Sequence, residues 1–183
     1  MKTVFIGGSR GVRILAEEVR RRIDRIVEQE FPVLIGDAGG ADKTVQGYLH
    51  RCGYRQVEVF CMDGCCRNNV GDWPLRAVAA PCRRKDFRYY AAKDRLMATE
   101  ADLGLMIWDG RSAGTLANVG RLSCGGKKVL VYVVPTSKFV AVARETEWER
   151  FLAACPADVR QRVVHEINLE EAESADQHEP SLF

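Results

Sequence analysis

With 183 residues the chain has the length of one domain. Its content of 46% hydrophobic and 28% charged residues supplies both a buried core and a solvated surface, which excludes a disordered or fibrous chain. A formal net charge of +2 argues against a dedicated nucleic-acid binder, and the richest basic run, Arg83-Arg84-Lys85, is short and adjoins Asp86.

Met1-Lys2 leads directly into Thr3-Val4-Phe5-Ile6, which Gly7-Gly8-Ser9 ends. This reads as a buried strand and a tight turn, not a secretory leader. No apolar run reaches the roughly 18–20 residues of a membrane span, so a cytoplasmic protein with no membrane partner is expected. From Arg10 to Glu30, Val12, Leu15, Val19, Ile23, Ile26 and Val27 recur at helical steps, and Pro32 follows. Val33-Leu34-Ile35 is the second strand, closed by Gly36. Asp42 to Arg51 continues as a helix with Gly53 as its stop, and Val57-Glu58-Val59-Phe60 is the third strand. Met62 to Pro81 has no period and reads as a long functional loop. A helix is expected from Lys85 to Glu100, with Leu96 and Met97 in the core. The fourth strand is Leu103-Gly104-Leu105-Met106-Ile107-Trp108, the next helix runs from Thr115 to Ser123, and the fifth strand from Lys128 to Val134. After Pro135, 146–154 and 158–167 fit two small helices, with Trp148 and Phe151 packing the first. The strands are continuous apolar runs, so both faces are covered. Strand and helix alternate, which gives a Rossmann-like, doubly wound α/β domain over 1–168: a five-stranded, mainly parallel sheet with helices on both faces, followed by an acidic tail, 169–183.

The seven cysteines, Cys52, Cys61, Cys65, Cys66, Cys82, Cys124 and Cys155, are odd in number and scattered. Cys61, Cys65 and Cys66 lie close together, yet no paired C-x-x-C unit or nearby histidine completes a metal set, so free thiols and no metal are expected.

In a parallel α/β sheet the strand-to-helix turns share one edge, where ligands bind. Three of these turns are rich in small and polar residues. Gly7-Gly8-Ser9-Arg10-Gly11 lets backbone approach a ligand, with a hydroxyl from Ser9 and a charge from Arg10; it also suits a plain tight turn. In Gly36-Asp37-Ala38-Gly39-Gly40-Ala41-Asp42, Gly39 and Gly40 allow an amide concavity, and Asp37 and Asp42 suit ribose hydroxyls; Asp42 equally suits the cap of its helix. In Asp109-Gly110-Arg111-Ser112-Ala113-Gly114-Thr115, Gly114 and Thr115 at a helix start form a phosphate seat, with Ser112 as cap or second contact. Asp109 fits either ligand hydroxyls or a turn. Lys93, Arg95 and Arg111 fit phosphate neutralisation or solvation. Trp73 suits either a stacking lid or a loop anchor, Trp108 the core, and His50 and His165 the surface.

In order and spacing these stretches, with Lys93-Asp94-Arg95-Leu96-Met97, Ala101-Asp102 and Ser112 to Asn118, resemble the SLOG superfamily of Rossmann-like proteins. The likeness is nearest to its stand-alone YspA and YpsA-like group and more distant to the LOG phosphoribohydrolases and to DprA. It covers roughly the first three-quarters of the chain and implies binding of a nucleotide or related molecule in the crevice. Against the LOG motif, Met97, Asp102, Gly114 and Thr115 match, while Lys93 stands at its arginine, Asp94 at its lysine and Asn118 at its glutamate. An amide at 118 neither stabilises developing oxocarbenium charge nor acts as a base. The nucleoside deoxyribosyltransferases, similar around Ala101-Asp102 and Gly114-Thr115, need a glutamate near 118 as well.

The reading is therefore a protein that binds a nucleotide or nucleotide-derived phosphate ligand at the carboxyl edge of the sheet, as a sensor or binding protein. Its contacts are Gly7, Gly8, Ser9, Arg10, Gly39, Gly40, Asp42, Lys93, Ser112, Gly114, Thr115 and Asn118. No cofactor is required, with magnesium as an optional companion of the phosphates. The alternative is an N-glycosidase, phosphoribohydrolase or ribosyl-transfer enzyme that draws its carboxylate from Asp37, Asp42 or Asp109. Binding of single-stranded DNA is a third reading, which the near-neutral charge disfavours. A homo-oligomer is expected, built on the Lys85–Glu100 helix or the tail.

Overall fold

The computed structural model describes residues 1–80 and 87–176. Cys82, the Arg83-Arg84-Lys85 run, Asp86 and the chain beyond Asp176 lie outside the described residues. In chain order the elements are β1 (Val4–Gly8), α1 (Glu17–Glu28), β2 (Val33–Gly36), α2 (Ala41–Arg51), β3 (Val57–Met62), β4 (Leu75–Val78), α3 (Phe87–Glu100), β5 (Leu103–Trp108), α4 (Ala113–Cys124), β6 (Lys128–Val133), β7 (Lys138–Val142), α5 (Glu145–Ala153) and α6 (Ala157–Asp176). A short 3₁₀ turn, Val134–Thr136, joins β6 to β7. No helix among the described residues is long and apolar enough to cross a membrane.

The sheet among these residues has seven strands in the order β4-β3-β2-β1-β5-β6-β7. All neighbours are parallel except β6 and β7. The expected count of five was short by the two edge strands. β4 falls inside the segment read as a loop: its residues are exposed or half-buried, so it lacks the apolar run that marks a central strand. β7 was missed for the same reason, since only Val142 in it is buried.

Continuous apolar strands serve two cores because neighbouring side chains leave opposite faces. Val4 and Ile6 join Val19, Ile23 and Ile26 of α1 and Val45 and Leu49 of α2. Phe5 and Met106 go to the other face, with Met97 of α3, Leu116 and Leu122 of α4, Trp148 of α5 and Val163 of α6. Met97 and Ala98 of α3 are thus spent inside the chain, with Leu96 packed half-buried against them. The helix expected from Arg10 starts only at Glu17. Val12 and Leu15 are buried from an irregular stretch, so the helical spacing there is a product of tertiary packing. Trp73 is 5% exposed and donates its indole N–H to Tyr54 O at 2.9 Å, so it anchors its segment and does not act as a lid. His50 and His165 are exposed and Trp108 is buried.

The topology fixes the site. β1 lies at the centre between β2 and β5, and strand order reverses between β1 and β5. Gly8 pairs with Ile107, so both strands end at one edge and their turns stand side by side.

Candidate functional site

A cleft of about 590 Å³ opens at this edge. Gly7 and Gly8 line it from the end of β1 and Arg10 from the turn after it, Asp42 from α2, Lys93 and Asp94 from α3, and Asp109, Arg111, Ser112, Gly114, Thr115 and Asn118 from the β5 turn and α4. Ser9, Asp37, Gly39 and Gly40, also nominated from sequence, are not part of the lining. A second hollow of about 390 Å³ at the amino ends of β1 and β5 is walled by Val4, Leu103, Leu105 and Leu130 with Arg22 and Arg25. It has no helix N-terminus, whereas the carboxyl edge has one together with three glycine-rich turns, so the carboxyl edge is the candidate site.

The β1 and β5 turns are locked by hydroxyls. Ser9 is fully buried; Asp109 N–H donates to its Oγ at 3.1 Å, and its Oγ lies 3.1 Å from Thr115 Oγ1. Thr115 O–H donates in turn to Ser112 Oγ at 3.0 Å. Each hydroxyl has one hydrogen, so Ser9 donates to Thr115 and the relay runs from Asp109 N–H to Ser112. Ser112 also caps α4 by accepting from Thr115 N–H. Its own hydroxyl hydrogen has no protein acceptor among the described residues, and neither do the N–H groups of Ala113 and Gly114 at the first turn. These are three donors on the cleft wall at the positive end of a helix. Asp109 Oδ1 accepts from Arg111 N–H and Ser112 N–H at 3.0 and 2.9 Å, which makes it the turn residue.

The β2 turn is held differently from expectation. Asp42 does not cap α2: the cap position is Gly40, with no side-chain bond. Asp42 instead reaches back to accept from Ala38 N–H at 3.3 Å. Asp37 is buried and accepts from Arg67 Nη2, Nε and N at 2.6, 3.0 and 3.1 Å. Burial pushes its carboxyl up, but Arg67 and the Lys93 charge hold it below the usual range. Buried and outside the cleft lining, its carboxylate is not presented to a ribose there. A Cβ at position 36 would lie 2.5 Å from Asp42 Oδ2 and 2.8 Å from Lys93 Nζ, so glycine there leaves room for these two side-chain ends.

Lys93 is 3% exposed, not a solvated surface residue, and its ammonium lies 2.7 Å from Asp94 Oδ1. Burial works against its charge, yet Asp94 and Asp42 keep it protonated. Asp94 is likewise raised by burial but lowered overall by Lys93, Arg121 and Asn118. Asn118 donates to Asp94 Oδ2 at 3.0 Å and accepts from Arg121, so the amide at 118 holds a carboxylate supplied by α3.

Sequence reasoning missed Arg67 and Tyr90, which also line the cleft. Arg67 and Arg10 place their guanidiniums 4.8 and 5.5 Å from the Tyr90 ring centre. Arg67 sits in the aperiodic segment, thirty residues from Asp37, so no local pattern links the pair. Arg162 of α6 joins the far side, donating to Arg111 O at 3.1 Å. Arg95, a third cation nominated from α3, is not in the lining. Among the described residues no group of three or more His, Cys, Asp or Glu is placed to hold a metal ion.

No protein-family model matches the chain, and no curated protein matches it in sequence. Its fold is similar to the X-ray structure of DNA processing protein A (DprA) from Streptococcus pneumoniae, with a TM-score of 0.52 and 14% identity over 71% of this chain and 50% of that one. The chain therefore spans about half the length of that protein. At this identity the likeness establishes a DprA-like, Rossmann-type fold and does not reach the YspA and YpsA-like group.

Proposed function

We propose that the chain binds a nucleotide or nucleotide-derived phosphate ligand in the cleft at the carboxyl edge, as a binding or sensing protein. The observation that carries this reading is the α4 end of the cleft. There Ser112 O–H and the N–H groups of Ala113 and Gly114 are donors without acceptors among the described residues, and Arg10 and Arg111 add positive charge to the same lining. Phosphate oxygens match such donors. The remaining length of the cleft, out to Tyr90 and Asp42, accommodates a sugar and base.

The test is a thermal-shift panel of nucleotides, nicotinamide dinucleotide and ADP-ribose, with the products analysed in parallel. A ligand at about a hundred times its Kd stabilises by ~2.7 kcal/mol, a rise of about 5–10 °C in Tm for a chain of this size. Gly114→Asp puts a carboxylate at the donors and is expected to abolish the rise. No shift with any member of the panel would refute the reading. A salt-dependent gel shift with single-stranded DNA separates the nucleic-acid alternative, for which no shift is expected.

The enzymatic alternative, N-glycosidic hydrolysis or ribosyl transfer, is favoured by one observation. Of the three carboxylates considered for it, Asp37 is buried off the cleft lining and Asp109 lines the cleft but holds its turn through Oδ1, whereas Asp42 lines the cleft beside ionised Asp94 with Oδ1 accepting no bond among the described residues. Release of free base in the product analysis would move the assignment to that alternative.

A further inference from the structure

Asp42 stands apart from the other charges of the cleft floor. Four charged groups face it: Lys93 and Asp94 from α3, Asp37 from the turn after β2, and Arg67 from the segment after β3. These four are already matched in pairs, Lys93 with Asp94 at 2.7 Å and Arg67 with Asp37 at 2.6 Å. An ionised Asp42 therefore adds a third negative charge against two cations, sharing Lys93 with Asp94, at a position 6% exposed. Its one hydrogen bond among the described residues, from Ala38 N–H to Oδ2, is long at 3.3 Å, and Oδ1 accepts none. Burial accordingly raises its carboxyl to about 7, against the pull of Lys93 and with a push from Asp94.

Resting on the nucleotide-binding reading above, we propose that Asp42 determines specificity by meeting the ligand as a carboxylic acid, donating its O–H to an acceptor oxygen or nitrogen of the ligand. An ionised carboxylate would select the opposite partners, a ribose hydroxyl or a magnesium ion. With the acid form required, a ligand that reaches Asp42 brings a proton into the complex whenever the free protein is ionised there. The site then takes an acceptor group at this point without metal, and its affinity falls as pH rises past neutrality.

The experiment is titration calorimetry with ADP-ribose and with nicotinamide dinucleotide, neither of which titrates between pH 5.5 and 8.5. Each is run at pH 5.5, 7.0 and 8.5 in two buffers of different ionisation heat. Kd is expected to weaken roughly tenfold per pH unit above about 7, with uptake near zero protons at pH 5.5 and approaching one at pH 8.5. Asp42→Asn keeps a donor in the same place; it is expected to bind with a flat pH profile and no uptake, whereas Asp42→Ala binds more weakly throughout. Binding by the wild type that is independent of pH overturns the proposal and leaves the nucleotide reading standing. So does an uptake that persists in Asp42→Asn, or a rescue of affinity at pH 8.5 by magnesium. Failure of both probes at every pH overturns the proposal, and it takes the nucleotide reading with it only when the whole thermal-shift panel fails as well. Stability of the free protein gives a reading that needs no ligand. The folded carboxyl lies above its unfolded value of roughly 4, so stability falls as pH rises from there to about 7, and Asp42→Asn is expected to flatten that slope.

Discussion

Lys93→Met is expected to cost about 3–5 kcal/mol at pH 8, a large part of the roughly 5–15 kcal/mol that holds a domain folded. The substitution keeps most of the aliphatic stem but strands buried Asp42 and half-buried Asp94 with no ammonium between them. The sign with pH follows from the protons. In the wild type Asp94 is held below its unfolded range, so its stabilising contribution is complete above roughly pH 4 and fades as the carboxyl protonates in acid. Without Lys93 both carboxyls rise, the folded state holds protons that the unfolded chain releases, and stability falls as pH rises through their folded values. The loss should therefore be markedly larger at pH 8 than at pH 5.5. Urea midpoints for the two proteins at both pH values measure this; a loss below about 1 kcal/mol at both would contradict a buried charge cluster.

Gly40→Ala is the second large effect, about 3 kcal/mol or more. Gly40 has φ 74° and ψ −128°, a conformation open essentially to glycine alone, and an added Cβ would lie 2.2 Å from Arg10 O and 2.5 Å from Arg10 Cα. Both contacts are main chain, so no side-chain rotation relieves them. Gly39→Ala is the control one residue away: a Cβ there meets nothing within 4 Å, and the expected change is within about 0.5 kcal/mol. Denaturant melts of the pair separate a packing requirement at Gly40 from a general glycine requirement in the turn. The same clash would shift Arg10, so ligand binding is expected to fail in any Gly40→Ala protein that folds.

The central strands were legible because burial on both faces writes an unbroken apolar run. The edges were not, since Leu75–Val78 and Lys138–Val142 are mostly solvated and leave no such run. Ser9 was legible as a turn residue but not as a bolt, because its partner Thr115 lies more than a hundred residues away. The same distance problem hid Arg67. Asp42 was visible as a polar residue at a helix start, where a cap is the local expectation. Gly36 lets it lie beside Lys93 instead, and that is a fact of packing between two helices and a strand end. Asn118 was legible as an amide where an acid is expected; that it grips Asp94 required the fold.

The hydroxyl relay between the turns has a direction, and the direction begins in the main chain, at Asp109 N–H. None of its members gains or loses a proton between pH 4 and pH 9. The relay end of the cleft therefore carries no titrating donor in this range, while the other end, on the proposal made above, takes up a proton at Asp42. The pH response of a ligand then becomes a ruler of how far it reaches. Sulfate, seated at α4 alone, should keep its affinity across this range, and each ligand long enough to touch Asp42 should announce the fact by losing it.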